Sequence, residues 1–146
     1  MSLREELLIR VLSERPRDKE VLVLSARNEA VDVTPLRVAA AQQIATVVTL
    51  VEEGDNTADE ARHLVPTLPA AAILCTSADH QLRAFLTWLR ALQAIGRDRE
   101  VKLWNLPVWL PDPQWETEVE KIAAYQATGD CASFAEGLAY LQWRGP

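Results

Sequence analysis

The strongest chemical signature in this chain is a twelve-residue stretch, 104–115, that contains three tryptophans and three prolines. Indole rings stack on sugars, bases and side chains, and a segment stiffened by proline loses less entropy when it binds. Aromatic anchors surrounded by charge are typical of protein interfaces. We therefore predict a partner-binding loop at 104–115, with Trp104, Trp109 and Trp115 as anchors and Asp112 in its rim. The alternative is that these tryptophans pack in the core or at its margin.

Two serines suggest a second kind of site, because each follows a short apolar run. They are Ser25 and Ser77, and Asp79 comes two residues after the second of them. In parallel sheets, ligands bind in the crevice outside the carboxyl ends of the strands. The positions therefore predict a possible ligand crevice lined by Ser25, Ser77 and Asp79. Neither serine has a glycine-rich turn beside it, so phosphate binding is not supported.

Nucleophilic and metal chemistry have weaker signals. Cys75 and His80 could form a pair of thiol nucleophile and base. However, no acid stands at a clear position to orient the histidine. A cysteine in an apolar run is also usually inert. His63 stands alone, whereas metal sites need three or four converging donors. We therefore predict no metal site and no cofactor.

Composition limits the class of protein. The chain has 146 residues, 49% of them hydrophobic and 25% charged, which favours one globular domain over residues 1–146. A net charge of −6 argues against nucleic acid as a partner. The longest apolar run, 38–51, is shorter than the roughly 20 residues of a membrane span, and the acidic N-terminus does not resemble a secretion signal. We expect a cytoplasmic location, a protein partner and no membrane contact, and we leave a homo-oligomer open.

The elements that would position these residues alternate along the chain. Apolar periodicity predicts helices at 3–14, 35–53, 78–95 and 113–127, with a short helix ending before Pro66 and a last helix carrying Phe134. Short apolar runs predict strands at 20–25, 70–76 and 101–104. No hairpin signal joins the strands. The sequence therefore predicts a single α/β domain with a small, mainly parallel sheet covered by helices on both faces.

Four polar residues are predicted to begin helices. Thr34 and Asp112 each precede a proline, Thr57 forms a capping-box pattern with Glu60, and Ser77 precedes the most regular helix of the chain.

The order of these features resembles the front half of a bacterial Toll/interleukin-receptor (TIR) domain. The resemblance covers residues 73–127. It consists of a strand that ends in serine and aspartate at 73–79, a leucine-rich helix that ends at glycine at 82–96, a strand that ends in tryptophan at 101–104, and a proline-containing loop that leads to a tryptophan and an acidic helix at 111–119. In the enzymatic members of that family, a glutamate on a later helix carries NAD cleavage.

Two functional hypotheses follow. The first is a non-catalytic interaction or signalling module that binds a protein partner through 104–115. The second, implied by the resemblance, is a TIR-like enzyme that cleaves NAD, with Glu136 as its acid and with Trp104 and Ser77 lining the pocket. The first is favoured because no convincing catalytic set is visible in the residues.

Overall fold

The structure is a computed structural model that describes residues 1–26, 31–52, 54 and 56–146. Its strands are β1 (Glu20–Leu24), β2 (Val48–Val51), β3 (Ala71–Ser77) and β4 (Lys102–Val108). Its helices are α1 (Leu3–Leu12), α2 (Thr34–Gln42), α3 (Thr57–Leu64), α4 (Ala78–Ala94), α5 (Trp115–Thr128) and α6 (Phe134–Arg144). A short 3₁₀ turn, Val65–Thr67, follows α3.

The four strands form one parallel sheet in the order β2-β1-β3-β4. A helix connects each pair of consecutive strands, as parallel pairing requires. The predicted α/β class and parallel sheet are thus confirmed. Strand β2 pairs with one side of β1, and β3 pairs with the other side. The direction in which strands are added therefore reverses between β1 and β3. In sheets of this kind, ligands bind in the crevice at such a reversal.

The two faces of the sheet are covered unequally. Leu22, Leu24, Leu74 and Leu103 point into a large core against α1, α3, α4, α5 and α6. Val21, Val23, Ile73 and Cys75 point to the opposite face, where Ala41 of α2 completes a smaller core. Among the described elements, α2 is the only helix on this second face, which leaves the strip nearest β4 thinly covered.

The predicted helix at 78–95 is confirmed as α4, which is the centre of the large core. Phe85, Trp88, Leu89 and Leu92 are all fully buried on it. Their spacing of three and four residues places them along one side of the helix, so α4 packs both on the sheet and beneath its neighbouring helices.

The prediction of a helix at 35–53 is wrong in its second half. Helix α2 ends at Gln42, and Val48–Val51 form the edge strand β2. Both halves are apolar, so hydrophobicity alone does not separate them. The run from Val47 to Val51 is rich in β-branched residues, whose restricted side chains fit a pleated sheet better than a helix.

Several predicted helix starts also differ. Asn56 caps α3 by accepting from the Asp59 N–H at 3.0 Å, so Thr57 lies inside the helix. Val33 occupies the cap position of α2, and the side chain of Thr34 instead accepts from the Ala26 N–H. Asp112 has a left-handed φ of 56°, and α5 begins only at Trp115. Local capping patterns predict that a helix begins nearby, but tertiary contacts decide which side chain is used.

Candidate functional site

Trp104 lies in a strand, as the predicted strand 101–104 implied, but that strand continues to Val108, so the predicted 104–115 loop begins only after it. It is the third residue of β4, whose side chains alternate strictly between the two faces of the sheet. Leu103, Asn105 and Pro107 are buried on the α4 face. Trp104, Leu106 and Val108 are half-buried on the α2 face. The predicted strand ended at Trp104, whereas the observed strand continues through Pro107, a residue that is unusual in a sheet.

The outer side of β4 faces side chains and not another strand. A proline is tolerated on such an edge because its missing N–H leaves no strand pairing unmade. The Leu103 N–H donates to the Tyr140 hydroxyl at 2.7 Å, and the Asn105 N–H donates to the Glu14 carboxylate at 2.7 Å. Pro107 occupies the next outward-facing position, where no N–H is needed. Arg144 donates to the Leu103 carbonyl at 2.7 Å. The edge is therefore closed to further strand pairing.

Two cations lie over the rings of Trp104 at the start of this edge. The Arg144 guanidinium lies 3.9 Å from a Trp104 ring centroid, and Lys19 Nζ lies 4.6 Å from the ring. Arg144 also forms an ion pair with Glu14, whose carboxylate binds the Asn105 side chain. These contacts give Trp104 a packing role, which is the alternative left open by the sequence.

Trp109 and Trp115 form the exposed aromatic feature of the segment. Trp109 is 60% exposed, and its ring centroid lies 6.1 Å from that of Trp115 at a tilt of 53°. Asp79 fixes the base of this loop by accepting from the Gln114 N–H at 2.8 Å. Asp112 is exposed beside it. The structure therefore brings two of the three predicted tryptophans together at the carboxyl end of β4, and Trp104 lies along the strand away from them.

Ser25 and Ser77 lie at neighbouring strand ends, as predicted, but Arg37 occupies the space between β1 and β3. The register that pairs Val23 with Cys75 places the two serines level with each other. The fully buried Arg37 donates to the Leu24 carbonyl at 2.8 Å and to the Ser77 hydroxyl at 2.6 Å. Ser77 makes no capping bond to α4, which corrects its predicted role.

The crevice predicted from Ser25, Ser77 and Asp79 is not formed by these three residues together. Asp79 turns away to Gln114, and Ser77 is buried against Arg37. Ser25 instead lines a separate cleft of about 690 Å³ between α2 and β2. Its hydroxyl is buried there and makes no hydrogen bond to another described residue.

Cys75 and His80 do not form a reactive pair. Cys75 is fully buried, and burial raises the pKa of its thiol to about 12. Its Sγ donates to the Arg37 carbonyl at 3.6 Å. The thiolate needed for nucleophilic attack is therefore strongly disfavoured.

His80 instead belongs to a cluster with Arg83 and Glu118. Arg83 donates to both carboxylate oxygens of Glu118, at 2.6 and 3.2 Å, and His80 Nδ1 lies 3.6 Å from the same carboxylate. Burial lowers the pKa of His80. Burial alone raises the pKa of Glu118, but contacts with His80 and Arg83 outweigh it and lower that pKa to about 2.

We expect acid to destabilise the protein through this cluster. The Glu118 pKa is about 2 in the fold against 4.5 for the free side chain, so its stabilising contribution is complete above pH 4.5 and is lost as pH falls towards 2. Allowing for solvent screening, the ionised Glu118 contributes about 2 kcal/mol to the free energy of unfolding. Urea unfolding at pH 7, 4.5 and 2.5 measures the loss. Glu118→Gln should be less stable at pH 7 and should lose less on acidification; an acid dependence equal to that of the unmodified chain contradicts this assignment.

Glu136, the predicted acid, stabilises the start of α6 and lies far from Ser77. It forms a capping box with Ser133 and accepts from Gln93 Nε2 at 2.9 Å. Hydrogen bonds from Ser133 lower the pKa of its carboxyl. Gln93 lies sixteen residues after Ser77. This places it about 24 Å along α4 at roughly 1.5 Å per residue. The described residues therefore do not assemble a pocket from Glu136, Trp104 and Ser77.

Sequence reasoning missed three charged residues that hold the strand ends and the β4 edge: Arg37, Glu14 and Arg144. Arg37 had a usable signal, because it is the one charged residue in α2 and lies four positions before the buried Ala41. Glu14 and Arg144 had none, since they are 130 residues apart and meet only in the folded chain.

Within the described ranges, no group of three or more histidine, cysteine or acidic residues is arranged to hold a metal ion. No helix in that part of the chain has the length and apolar character needed to cross a membrane. Comparison of the chain with protein-family models, curated proteins and solved structures returns no match. The resemblance to TIR domains therefore stays a prediction.

Proposed function

We propose that this protein is an interaction module that docks an amphipathic helix of a partner protein on its β4 face. We define the β4 face as the half-buried side chains of Trp104, Leu106 and Val108 on the α2 side of the sheet. Trp109 follows at the carboxyl end of the strand, where it packs on Trp115. The observation that carries the proposal is this half-buried apolar strip on a parallel sheet, which is followed directly in the chain by Trp109, a tryptophan that is 60% exposed. Parallel sheets occur almost only with helices on both faces, and α2 alone covers this one among the described elements.

A helix is the occupant that this surface fits best. The strip is apolar and half-buried, which suits the apolar stripe of an amphipathic helix. The sealed outer edge of β4 offers no free N–H groups at Leu103 and Asn105, so an added strand is disfavoured there. The aromatic pair at one end supplies the kind of large, rigid anchor on which binding energy concentrates.

The charges at the two ends indicate the chemistry of that helix. Lys19 lies over Trp104 at the start of the strand, whereas Asp112 and Glu116 are exposed close to Trp109 and Trp115 in the chain. We infer a helix with an acidic residue near Lys19 and basic residues near Asp112. Complementary charges of this kind set orientation and association rate more than affinity.

Nothing in the described geometry favours the alternative function of NAD cleavage. Glu136 is engaged with Ser133 and Gln93, away from the carboxyl edge of the sheet. An interaction function needs no catalytic set, which agrees with the inert environment of Cys75.

We expect Trp109→Ala to weaken binding of a helical partner at least tenfold, because it removes the exposed anchor. The probe is a phage-displayed library of helical peptides selected on the unmodified protein, with affinities measured by fluorescence anisotropy. Trp143→Ala is the matched control, since Trp143 is also exposed, at 37%, but lies on α6. Failure to select any peptide, or peptides that bind the Trp109→Ala and unmodified proteins equally, contradicts the proposal.

A further inference from the structure

The two edge strands of the sheet differ in whether their outward backbone groups have hydrogen-bond partners. Side chains of Tyr140, Glu14 and Arg144 occupy the outward groups of β4. β2 is the opposite edge of the sheet, and no described element pairs with its outer side. The Val21 N–H donates to the Val47 carbonyl at 3.0 Å, which directs the backbones of Val47 and Thr49 towards β1. By alternation, the N–H and C=O groups of Val48 and Leu50 face outward.

The side chains near this edge are also apolar and accessible. Val47 is 55% exposed and Leu50 39% exposed. Leu50 shares the cleft of about 690 Å³ with Val38 and Ala39 of α2. An open edge with apolar side chains beside it is a template for a further strand. Here the cleft supplies a place for the side chains of that strand.

The cleft also carries a charge preference. Asp32 and Glu52 line it, together with the buried Ser25 hydroxyl, and no described residue of its lining is basic. Glu52 lies two residues after Leu50, and side chains two residues apart in a strand share a face. A strand paired with β2 therefore meets an apolar position and, two residues further, an acidic one.

We propose that the β2 edge binds an extended segment of a partner protein that carries an apolar residue and a basic residue two positions apart. The backbone of the segment pairs with the outward groups of Val48 and Leu50. Its apolar side chain packs on Leu50 and Val38, and its basic side chain pairs with Glu52 and Asp32. In this mode, main-chain hydrogen bonds provide affinity and the alternate side chains provide specificity. This site lies at the opposite end of the sheet from the β4 face and does not depend on it.

The test uses short peptides and the whole protein. The probe is the peptide Thr-Val-Thr-Val-Thr-Lys-Thr and its reversed sequence, since the direction of pairing is open, and the control replaces lysine with glutamate. Binding is followed by backbone amide NMR titration. We expect the better lysine peptide to bind at least tenfold more tightly than its glutamate counterpart. Exchange of the Val48 and Leu50 amides with solvent should slow on binding.

One substitution separates strand pairing from other modes of binding. Leu50→Pro removes the outward N–H and leaves the pairing with β1 intact, as Pro107 does on β4. It should lower the affinity for the lysine peptide at least tenfold, whereas Leu50→Ala, which keeps the N–H, should lower that affinity less. N-methylation of the peptide amides that face β2 should reproduce the loss without changing the protein. Trp109→Ala should leave this binding unchanged, so failure here and failure at the β4 face are distinguishable.

Three results overturn the proposal. The first is equal affinity for the lysine and glutamate peptides. The second is that the N-methylated peptide binds the unmodified protein, and the lysine peptide binds the Leu50→Pro protein, as tightly as the lysine peptide binds the unmodified protein. The third is amide protection at Val48 and Leu50 that rises with protein concentration in the absence of peptide. The last result assigns the edge to a second copy of this chain.

Discussion

Arg144→Ala is expected to lower the free energy of unfolding by about 3–5 kcal/mol, the largest effect of any substitution considered. Arg144 pairs with the Glu14 carboxylate, donates to the Leu103 carbonyl and lies over the Trp104 ring. Its side chain is only 4% exposed, and that of Glu14 only 11%. Removal of the guanidinium leaves a poorly hydrated carboxylate without its cation. Such a loss is a large share of the total stability of a domain of this size.

Urea unfolding followed by circular dichroism measures this effect, and two variants define it. Arg10→Ala is the matched control, because Arg10 is an exposed arginine on α1, and it should change stability by less than about 0.5 kcal/mol. The double variant Glu14→Gln, Arg144→Met should recover part of the loss, since it removes the uncompensated charge. If Arg144→Ala costs no more than Arg10→Ala, the ion pair does not stabilise the β4 edge.

Arg37→Met is expected to lower the free energy of unfolding by about 2–4 kcal/mol. The substitution keeps a long apolar side chain but deprives the Leu24 carbonyl and the Ser77 hydroxyl of a buried donor. Since Arg37 joins the ends of β1 and β3, the loss should also speed amide exchange in the middle of the sheet more than in α6.

Denaturant unfolding and amide exchange by NMR test this expectation together. Leu36→Met provides the control, because Leu36 is the exposed neighbour of Arg37 on α2 and should tolerate the change. Ser77→Ala combined with Arg37→Met should cost less than the two separate losses added, because the two residues share one hydrogen bond. An Arg37→Met protein as stable as the unmodified chain shows that the guanidinium is not required to hold the strand ends.

The fold class was predictable because it depends on local periodicity. Helix α4 has apolar residues at every third or fourth position, and strands β1 and β3 are short apolar runs that each lead to a serine. Helices that alternate with strands leave a parallel sheet as the simplest arrangement. The strand β2 escaped prediction because it follows α2 with no proline, glycine or charge to separate them.

The candidate sites were only partly predictable. The sequence placed Trp109 in a stiff segment and left open whether it is exposed or packed; the structure shows it 60% exposed. It also placed Trp104 both at the end of the strand 101–104 and in the loop 104–115, whereas β4 continues to Val108. The accessible edge of β2 was not predicted at all, since it follows from the order of strands in the sheet. That order depends on which strands pair, and the strands that pair are far apart in the sequence.

The sequence by itself determined the helices, most of the strands, the parallel class of the sheet and the position of the tryptophan-rich segment, because each depends on residues close together in the chain. Only the tertiary structure decided that Arg37 fills the space between Ser25 and Ser77, that Arg144 and Glu14 seal one edge of the sheet, and that the other edge stays open. These features depend on burial and on the need to satisfy buried polar groups, and both arise only when residues far apart in the chain are brought together.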